Sequence, residues 1–427
     1  MGFLPTVTLG YRPDLRPGRR KTALVCAGGG ITGAVYEIGA LRAIAGALPN
    51  FPLTDFDAFV GVSAGAFVAA MLANGIDSEE LFRCVAGCAT QVENIKRNDI
   101  FKLNWGEFAV RTGMAPVVAA RVLWTFLKNQ NDLTLIDAIT MLGDSIPSAL
   151  LTNSGLEAYL QRNLKGPGRS NDFAQLRREL YLPAVNLDTG ARVVFGEQGF
   201  CHVPISLAVR ASSSLPIAFR PTRIDGADYI DGAVEKNFHL DVAIAHGAEL
   251  IVCINPLVPL MNDPAQAAVP MFFGSGLFGS GGGRYLSQKG LPTVLDQAFK
   301  LILHSRMRSG FEMALQKAPH VDVVMIEPSE RDFKMFFYNI LRYSARIILA
   351  KHGFEGAREI IEANFDDLSR VFAKHDIELS RERMDEIDEA LQQDERSLNV
   401  AVAALSGKGS GKKKPRGSAP AKQAVAS

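Results

Sequence analysis

Long uncharged apolar runs are missing from this chain. No window approaches the ~18 consecutive apolar residues that a membrane-spanning helix needs, so no transmembrane segment is expected. Cysteine is scarce as well. The five cysteines are an odd number without C-x-x-C spacing, which argues against a disulfide framework or a zinc site and favours a reducing compartment. Charge of one sign is absent too: the formal net charge of +1 gives no global steering toward nucleic acid, and no nucleic-acid partner is expected. No residue spacing suggests a metal or another cofactor, and nothing in the sequence indicates an oligomeric state.

What is present is 47% hydrophobic residues over 427 positions, ample for a large core. Residues 1–20 read as a Pro/Arg-rich lead-in rather than a secretory signal, although Gly2 and Thr6 fit the loose myristoylation pattern. From Lys21 an α/β pattern begins. Val35, Ile38, Leu41, Ala45 and Leu48 recur as one face of a helix, and apolar strands are expected in "LIVCINP" and "VDVVMIEP". Hairpins are expected at "LYLPAVNLDTGARVVFGE" and at "FRPTRIDGADYIDGA", which turns at Asp225-Gly226.

Residues 101–150 form a helical insertion, read first as packed on the core and second as a cap over an apolar site. Residues 257–292 are a Gly/Pro-rich loop carrying Met271, Phe272, Phe273, Leu277 and Phe278, suited to touching lipid or lining an entrance. A helical extension over 331–400 follows, with a dense apolar cluster at Met335, Phe336, Tyr338, Ile340 and Leu341. Residues 401–427 form a basic tail with almost nothing to bury, expected to be disordered.

The chemistry concentrates in a few short stretches. In "CAGGGITGAVYEIGAL", Gly28, Gly30 and Gly33 satisfy G-x-G-x-x-G after a strand-like run, Thr22 to Ala27. Such glycines can cradle a nucleotide phosphate or offer unhindered N–H groups to a developing oxyanion. The next strand ends in "GVSAGA", where Gly61, Ser63 and Gly65 form G-x-S-x-G on a strand-to-helix turn that projects a serine hydroxyl. A dinucleotide site needs an acid at the end of that second strand. Asp55 and Asp57 come before it and Ser63 occupies its end, so the oxyanion reading is the better one.

A nucleophilic serine needs a base. None of the seven histidines (His202, His239, His246, His304, His320, His352 and His375) sits in a motif that nominates it. Asp231 in "YIDGAVEKN" does better, since Gly232 lets the chain turn away and leaves a carboxylate on a tight turn. The competing reading is a turn aspartate bonding its own backbone, the role given to Asp225.

"GGGITG", "GVSAGA", "RASSSLP" and "IDGA", in that order, resemble the four sequence blocks of the patatin-like phospholipases over roughly Lys21 to Pro328. The resemblance implies a three-layer α/β/α domain over residues 21–330 and a Ser-Asp dyad. Carried over, Ser63 would be the nucleophile, Asp231 its activator, and Gly28, Gly29 and Gly30 the oxyanion donors. Thr32, Gly61, Gly65, Ser212, Pro216 and Gly232 would shape the site, Ser212 structurally. The implied reaction is acyl-ester hydrolysis on lipids of phospholipase A or lysophospholipase type, through an acyl-serine. Thr32 departs from the family, which usually has Arg or Lys there. Asn237 stands roughly where the family keeps an asparagine, and Phe238 where proline is common.

Two other functions compete: a non-catalytic lipid-binding or scaffold protein that keeps the fold, and, last, a nucleotide-binding enzyme. A cytoplasmic protein that visits membrane surfaces is expected, through the phenylalanine-rich loop and the basic tail acting together.

Overall fold

The computed structural model describes residues 20–128, 147–263, 285–329 and 345–382, with 384–386 and 389 beyond them. The lead-in through residue 19, the cluster at Met335 to Leu341, the phenylalanine-rich part of the loop and the basic tail lie outside the described residues.

The first half of the chain runs β1 (Thr22–Cys26), α1 (Gly30–Ala47), β2 (Ala58–Gly61), α2 (Ala64–Ala73), α3 (Ser78–Ala86), α4 (Arg97–Ile100), β3 (Lys102–Leu103), α5 (Trp105–Lys128), β4 (Ala149–Thr152) and α6 (Ser154–Asn163). It continues as β5 (Glu179–Asn186), β6 (Arg192–Phe195), α7 (Ile205–Ser212), β7 (Ile217–Phe219), β8 (Thr222–Ile224), β9 (Ala227–Asp231), α8 (Leu240–Ala245) and β10 (Leu250–Ile254). The last elements are α9 (Leu291–Lys317), β11 (Asp322–Ile326), α10 (Arg346–Ala363) and α11 (Phe365–Ala373).

The main sheet has the order β11-β10-β1-β2-β5-β9-β8, with β6 also on β5. Its first five strands are parallel, and β9, β8 and β6 are antiparallel. Parallel strands need cover on both faces, and here alternate residues of each strand enter different cores. Leu24, Cys26, Phe59 and Leu180 face α1, α2, α7 and α10. Ala23, Val25, Val60 and Tyr181 face α8 and α9. This is the expected three-layer arrangement, and both expected hairpins form.

Two helices depart from their sequence reading. α1 is buried on almost every side rather than along one stripe, and Leu48 caps it instead of belonging to it. The reason is α10, which crosses its back. A Cβ at Gly39 would stand 1.9 Å from the Ala350 carbonyl oxygen, and one at Gly353 would stand 2.2 Å from that of Tyr36. α5 departs the other way. Val110, Met114, Val117 and Trp124 share one face of it and are all exposed, Trp124 at 71%. Packing of this insertion on the core is therefore wrong for α5: helical period locates an apolar stripe but not what covers it. A second sheet, β3-β4-β7, stands beside α5.

The α1–α10 contact yields a stability test. Gly39→Ala should lower stability by ~2 kcal/mol or more, because its methyl meets a backbone carbonyl that cannot move alone. Gly356→Ala on α10, whose Cβ would meet only the Tyr36 hydroxyl at 3.4 Å, should leave the unfolding midpoint unchanged or raise it. Chemical denaturation of both variants checks the pair.

Candidate active site

Adjacent parallel strands end on the same edge of a sheet, and this brings the glycine turn and the serine turn together. Cys26 of β1 pairs with Gly61 of β2, and the Val62 N–H donates to the Cys26 carbonyl at 3.1 Å. Ser63 follows with φ 55° and ψ −122°, a left-handed backbone that non-glycine residues seldom adopt. Its flanking glycines are sterically required. A Cβ at Gly61 would stand 2.4 Å from the Gly65 carbonyl oxygen, and one at Gly65 would stand 2.3 Å from that of Cys26.

The serine run at the end of α7 clamps this turn. Ser212 Oγ accepts from the Ser63 N–H at 3.1 Å and donates to the Pro183 carbonyl at 2.7 Å. Ser213 Oγ donates to the Ser63 carbonyl at 2.8 Å, and the Ser214 carbonyl accepts from the Asp231 N–H at 3.0 Å. Ser212 thus bridges the Ser63 turn to β5. Ser213 and Ser214 are partners that sequence reasoning missed, although they stand in the same quoted block.

Sheet register brings Asp231 to the serine. Val60 pairs with Tyr181, and three residues further along β5 Ala184 pairs with Asp231, level with Ser63. Gly232 permits the approach, since a Cβ there would stand 2.4 Å from the Pro183 carbonyl oxygen. Asp231 is fully buried, and burial pushes its pKa up to about 7, against the pull of the Ser63 hydroxyl and the Ala233 N–H. The Ala233 N–H reaches Oδ1 at 2.9 Å. Oδ2 is buried without a fully formed hydrogen bond, so the Ser63 contact is a loose one that rotation of the hydroxyl can tighten. No histidine lines either cavity at Ser63 among the described residues. His239 meets the Gly232 backbone, but burial lowers its pKa to about 3 and keeps it neutral.

The glycine triplet is less uniform than expected. The Gly28 N–H donates to Asn237 Oδ1 at 3.0 Å, and the Asn237 amide returns a bond to the Gly28 carbonyl at 3.2 Å and another to Asn255 Oδ1 at 3.2 Å. Gly28, one of the three expected oxyanion donors, therefore has its N–H engaged by Asn237. Gly29 and Gly30 are conformationally demanding: Gly30 has φ 61°, and a Cβ at Gly29 would stand 2.7 Å from Gly33 Cα. Thr32 is buried and Pro216 exposed, and neither lines a cavity at Ser63. Leu215, the neighbour of Pro216, lines both cavities.

Ser63 borders two cavities. One, of about 100 Å³, is almost wholly apolar, walled by Ile31, Ala34, Val35 and Ile38 of α1 with Phe67 and Phe219. The other is smaller, about 20 Å³, and mixed in character: Gly28, Gly29, Gly30 and Asp231 border it together with Asp296, Phe299, Lys300 and Leu303 of α9. The α9 residues carried no signal in the sequence.

The family model for patatin-like phospholipases matches residues 24–244, just over half of the chain. The chain belongs to the patatin-like phospholipase family. All the residues carried over from that resemblance, Gly28 through Gly232, fall inside the matched segment. Within 237 residues the chain is 23% identical to a probable lipid hydrolase, 463L, of Invertebrate iridescent virus 6, covering 55% of this chain and 67% of that protein. Among solved structures, VipD from Legionella pneumophila is similar at 13% identity and a TM-score of 0.34, over 81% of this chain and 67% of VipD. Full-length ExoU of Pseudomonas aeruginosa, solved with SpcU, is similar at 14% identity and a TM-score of 0.30. That likeness covers 81% of this chain, which spans about half (52%) of the ExoU chain.

The raised pKa of Asp231 has a consequence for stability. An unfolded aspartate titrates near 3.8 and the folded one near 7, so the native state binds the proton more tightly and stability falls as pH rises across that window. Asp231→Asn should therefore unfold at a higher temperature than the parent at pH 8, with the gap closing toward pH 4. Melting curves at several pH values check it.

Proposed function

We propose that this protein is a serine acyl hydrolase that cleaves carboxylic esters of lipids by a Ser63–Asp231 dyad. The observation that carries the reading is a strained, clamped serine beside a fully buried carboxylate, at the mouth of an almost wholly apolar cavity. The family membership and the viral relative named as a probable lipid hydrolase support the same class of reaction.

The steps follow from the geometry. Ser63 Oγ attacks the ester carbonyl carbon while its proton passes to Asp231. A carboxylate with a pKa near 7 is a far stronger base than an ordinary aspartate, and it is still substantially ionised at neutral pH. Negative charge moves onto the carbonyl oxygen, toward the Gly29 and Gly30 N–H groups, where a single donor is worth roughly 100-fold in rate. The alkoxy C–O bond then breaks, and the departing alcohol takes the proton from Asp231. Water, deprotonated by the same carboxylate, attacks the acyl carbonyl; the bond to Ser63 Oγ breaks, Oγ takes the proton back from Asp231, and the fatty acid leaves. The apolar cavity holds the acyl chain, its four α1 residues spaced as one helical stripe.

Access from a lipid surface fits the exposed apolar groups near that cavity. Ile217 of β7, 84% exposed, lies two residues from Phe219 in the cavity wall, and Leu103, Leu150, Trp105 and Trp124 are exposed on the neighbouring elements. Monomeric proteins seldom present such groups together unless they meet another apolar surface. Among the described residues no helix is long and apolar enough to cross a membrane, so a peripheral mode is the one proposed.

A fluorophosphonate probe should label Ser63 alone, and Asp231→Asn should abolish the labelling. Unlabelled Ser63 in folded protein, with or without vesicles, would refute the reading. Because the base must be ionised, kcat/KM should climb with pH through a midpoint near 7. Replacing both Trp105 and Trp124 with serine should weaken sedimentation with phospholipid vesicles about tenfold; undiminished binding would remove α5 from the membrane contact.

A further inference from the structure

β10 and β11 lie beyond the segment matched by the family model, yet their ends stand directly behind the glycine turn. Sheet register puts them there. Cys26 of β1 pairs with Ile254 of β10, which pairs with Ile326 of β11, and the Ala27 N–H donates to the Ile254 carbonyl at 3.1 Å. Asn255 and Glu327, the next residues of their strands, are therefore level with Ala27. Pro256 fills the space behind the turn, since a Cβ at Gly29 would stand 2.6 Å from its Cγ and one at Gly33 would stand 3.0 Å from it.

A hydrogen-bond relay runs from these strand ends to Gly28. Asn255 Nδ2 donates to Glu327 Oε2 at 3.1 Å, and Asn255 Oδ1 accepts from the Leu257 N–H and from Asn237 Nδ2, both at 3.2 Å. Asn237 Nδ2 also donates to the Gly28 carbonyl at 3.2 Å. Each direction is forced. A carboxylate oxygen only accepts and a peptide N–H only donates, so the Asn255 amide cannot flip without losing both. With the Asn255 oxygen held toward it, the Asn237 amide cannot flip either. Asn255 and Asn237 are 1% and 2% exposed, so bulk water is no substitute partner for either amide.

We infer that Asn255 is a positioning residue for the oxyanion site, holding Asn237 so that the Gly28 carbonyl is drawn back and the Gly29 N–H is presented to the ester oxygen. The inference rests on the serine-hydrolase reading above. The Gly28 carbonyl and the Gly29 N–H belong to one trans peptide, in which they point in opposite directions. Drawing the carbonyl toward Asn237 aims that N–H the other way, and Gly29 borders the smaller cavity with Ser63 and Asp231. Donors fixed in advance need no reorganisation as negative charge develops. Glu327 anchors the far end of the relay, and neither it nor Asn255 lines a cavity at Ser63.

The test measures kcat and KM for 4-nitrophenyl octanoate, and the Ki of octyl trifluoromethyl ketone, with the full chain and its variants. Ser63 Oγ adds to the ketone carbon, its proton passes to Asp231, and the ketone oxygen becomes an oxyanion at the glycine turn. In Asn255→Leu, kcat should fall about tenfold with KM within about twofold, and Ki should rise by the same factor. Asn255→Asp, which keeps the acceptor for Asn237, should retain most of the parent kcat. Glu327→Leu, at the far end of the relay, should lower kcat and raise Ki about threefold. The pH midpoint of kcat/KM should stay that of the parent in every variant, because Asp231 is untouched. Unchanged kcat in folded Asn255→Leu overturns the inference, as does a loss of kcat without a rise in Ki or with a shifted midpoint. If Asn255→Leu does not fold, Glu327→Leu decides by the same criteria. If the fluorophosphonate labels Ser63 but the variants leave Ki unchanged, the inference falls and the hydrolase reading stands. If Ser63 is not labelled, both fall.

Discussion

The site depends on how closely α2 approaches the first two strands. Where Gly61 and Gly65 stand, a single methyl would drive into a backbone carbonyl at 2.4 or 2.3 Å. That approach forces the chain between them through the left-handed turn at Ser63 and fixes the hydroxyl at the sheet edge. Strain of this kind, of order 1–3 kcal/mol, persists only where neighbours over-determine the conformation. The neighbours here are Ser212 and Ser213, which bind the Ser63 N–H and carbonyl from one helix end. Ser214 in the same run holds the Asp231 backbone. Ser63 and Asp231 are therefore both referenced to the serine run at the end of α7.

Burial of Asp231 does two opposing things. It raises the carboxyl toward neutrality, which costs stability as pH rises from about 4 to 7, and, on the proposed function, it makes the ionised form a stronger base than an ordinary aspartate. Among the described residues no histidine borders either cavity at Ser63. The destabilisation of one buried carboxylate is offset by a large two-sided core, in which the sheet is covered on both faces.

Elements outside the family segment are not appendages. α10 covers the back of α1 through contacts that only glycine allows at Gly39 and Gly353. α9 supplies one wall of the smaller cavity at Ser63 and part of the second core. The matched segment carries Ser63 and Asp231, and the later helices decide part of what surrounds them.

The sequence by itself determined the strand-turn-helix units, both hairpins, and the order of Gly28–Gly30, Ser63, Ser212 and Asp231. These are local: sharp turns need glycine, and apolar runs bounded by breakers make strands. Asn237 was legible as a position but not as the partner of Gly28, because that bond joins residues 209 apart and engages an N–H that the triplet alone leaves open. Lys300 was illegible, since nothing in the period of a helix tells which face meets a cavity built from other segments. The exposed stripe of α5 was misread for the same reason. Local patterning fixes what a segment is; which surfaces it touches is decided by sheet register and helix packing, and those exist only once distant segments have come together.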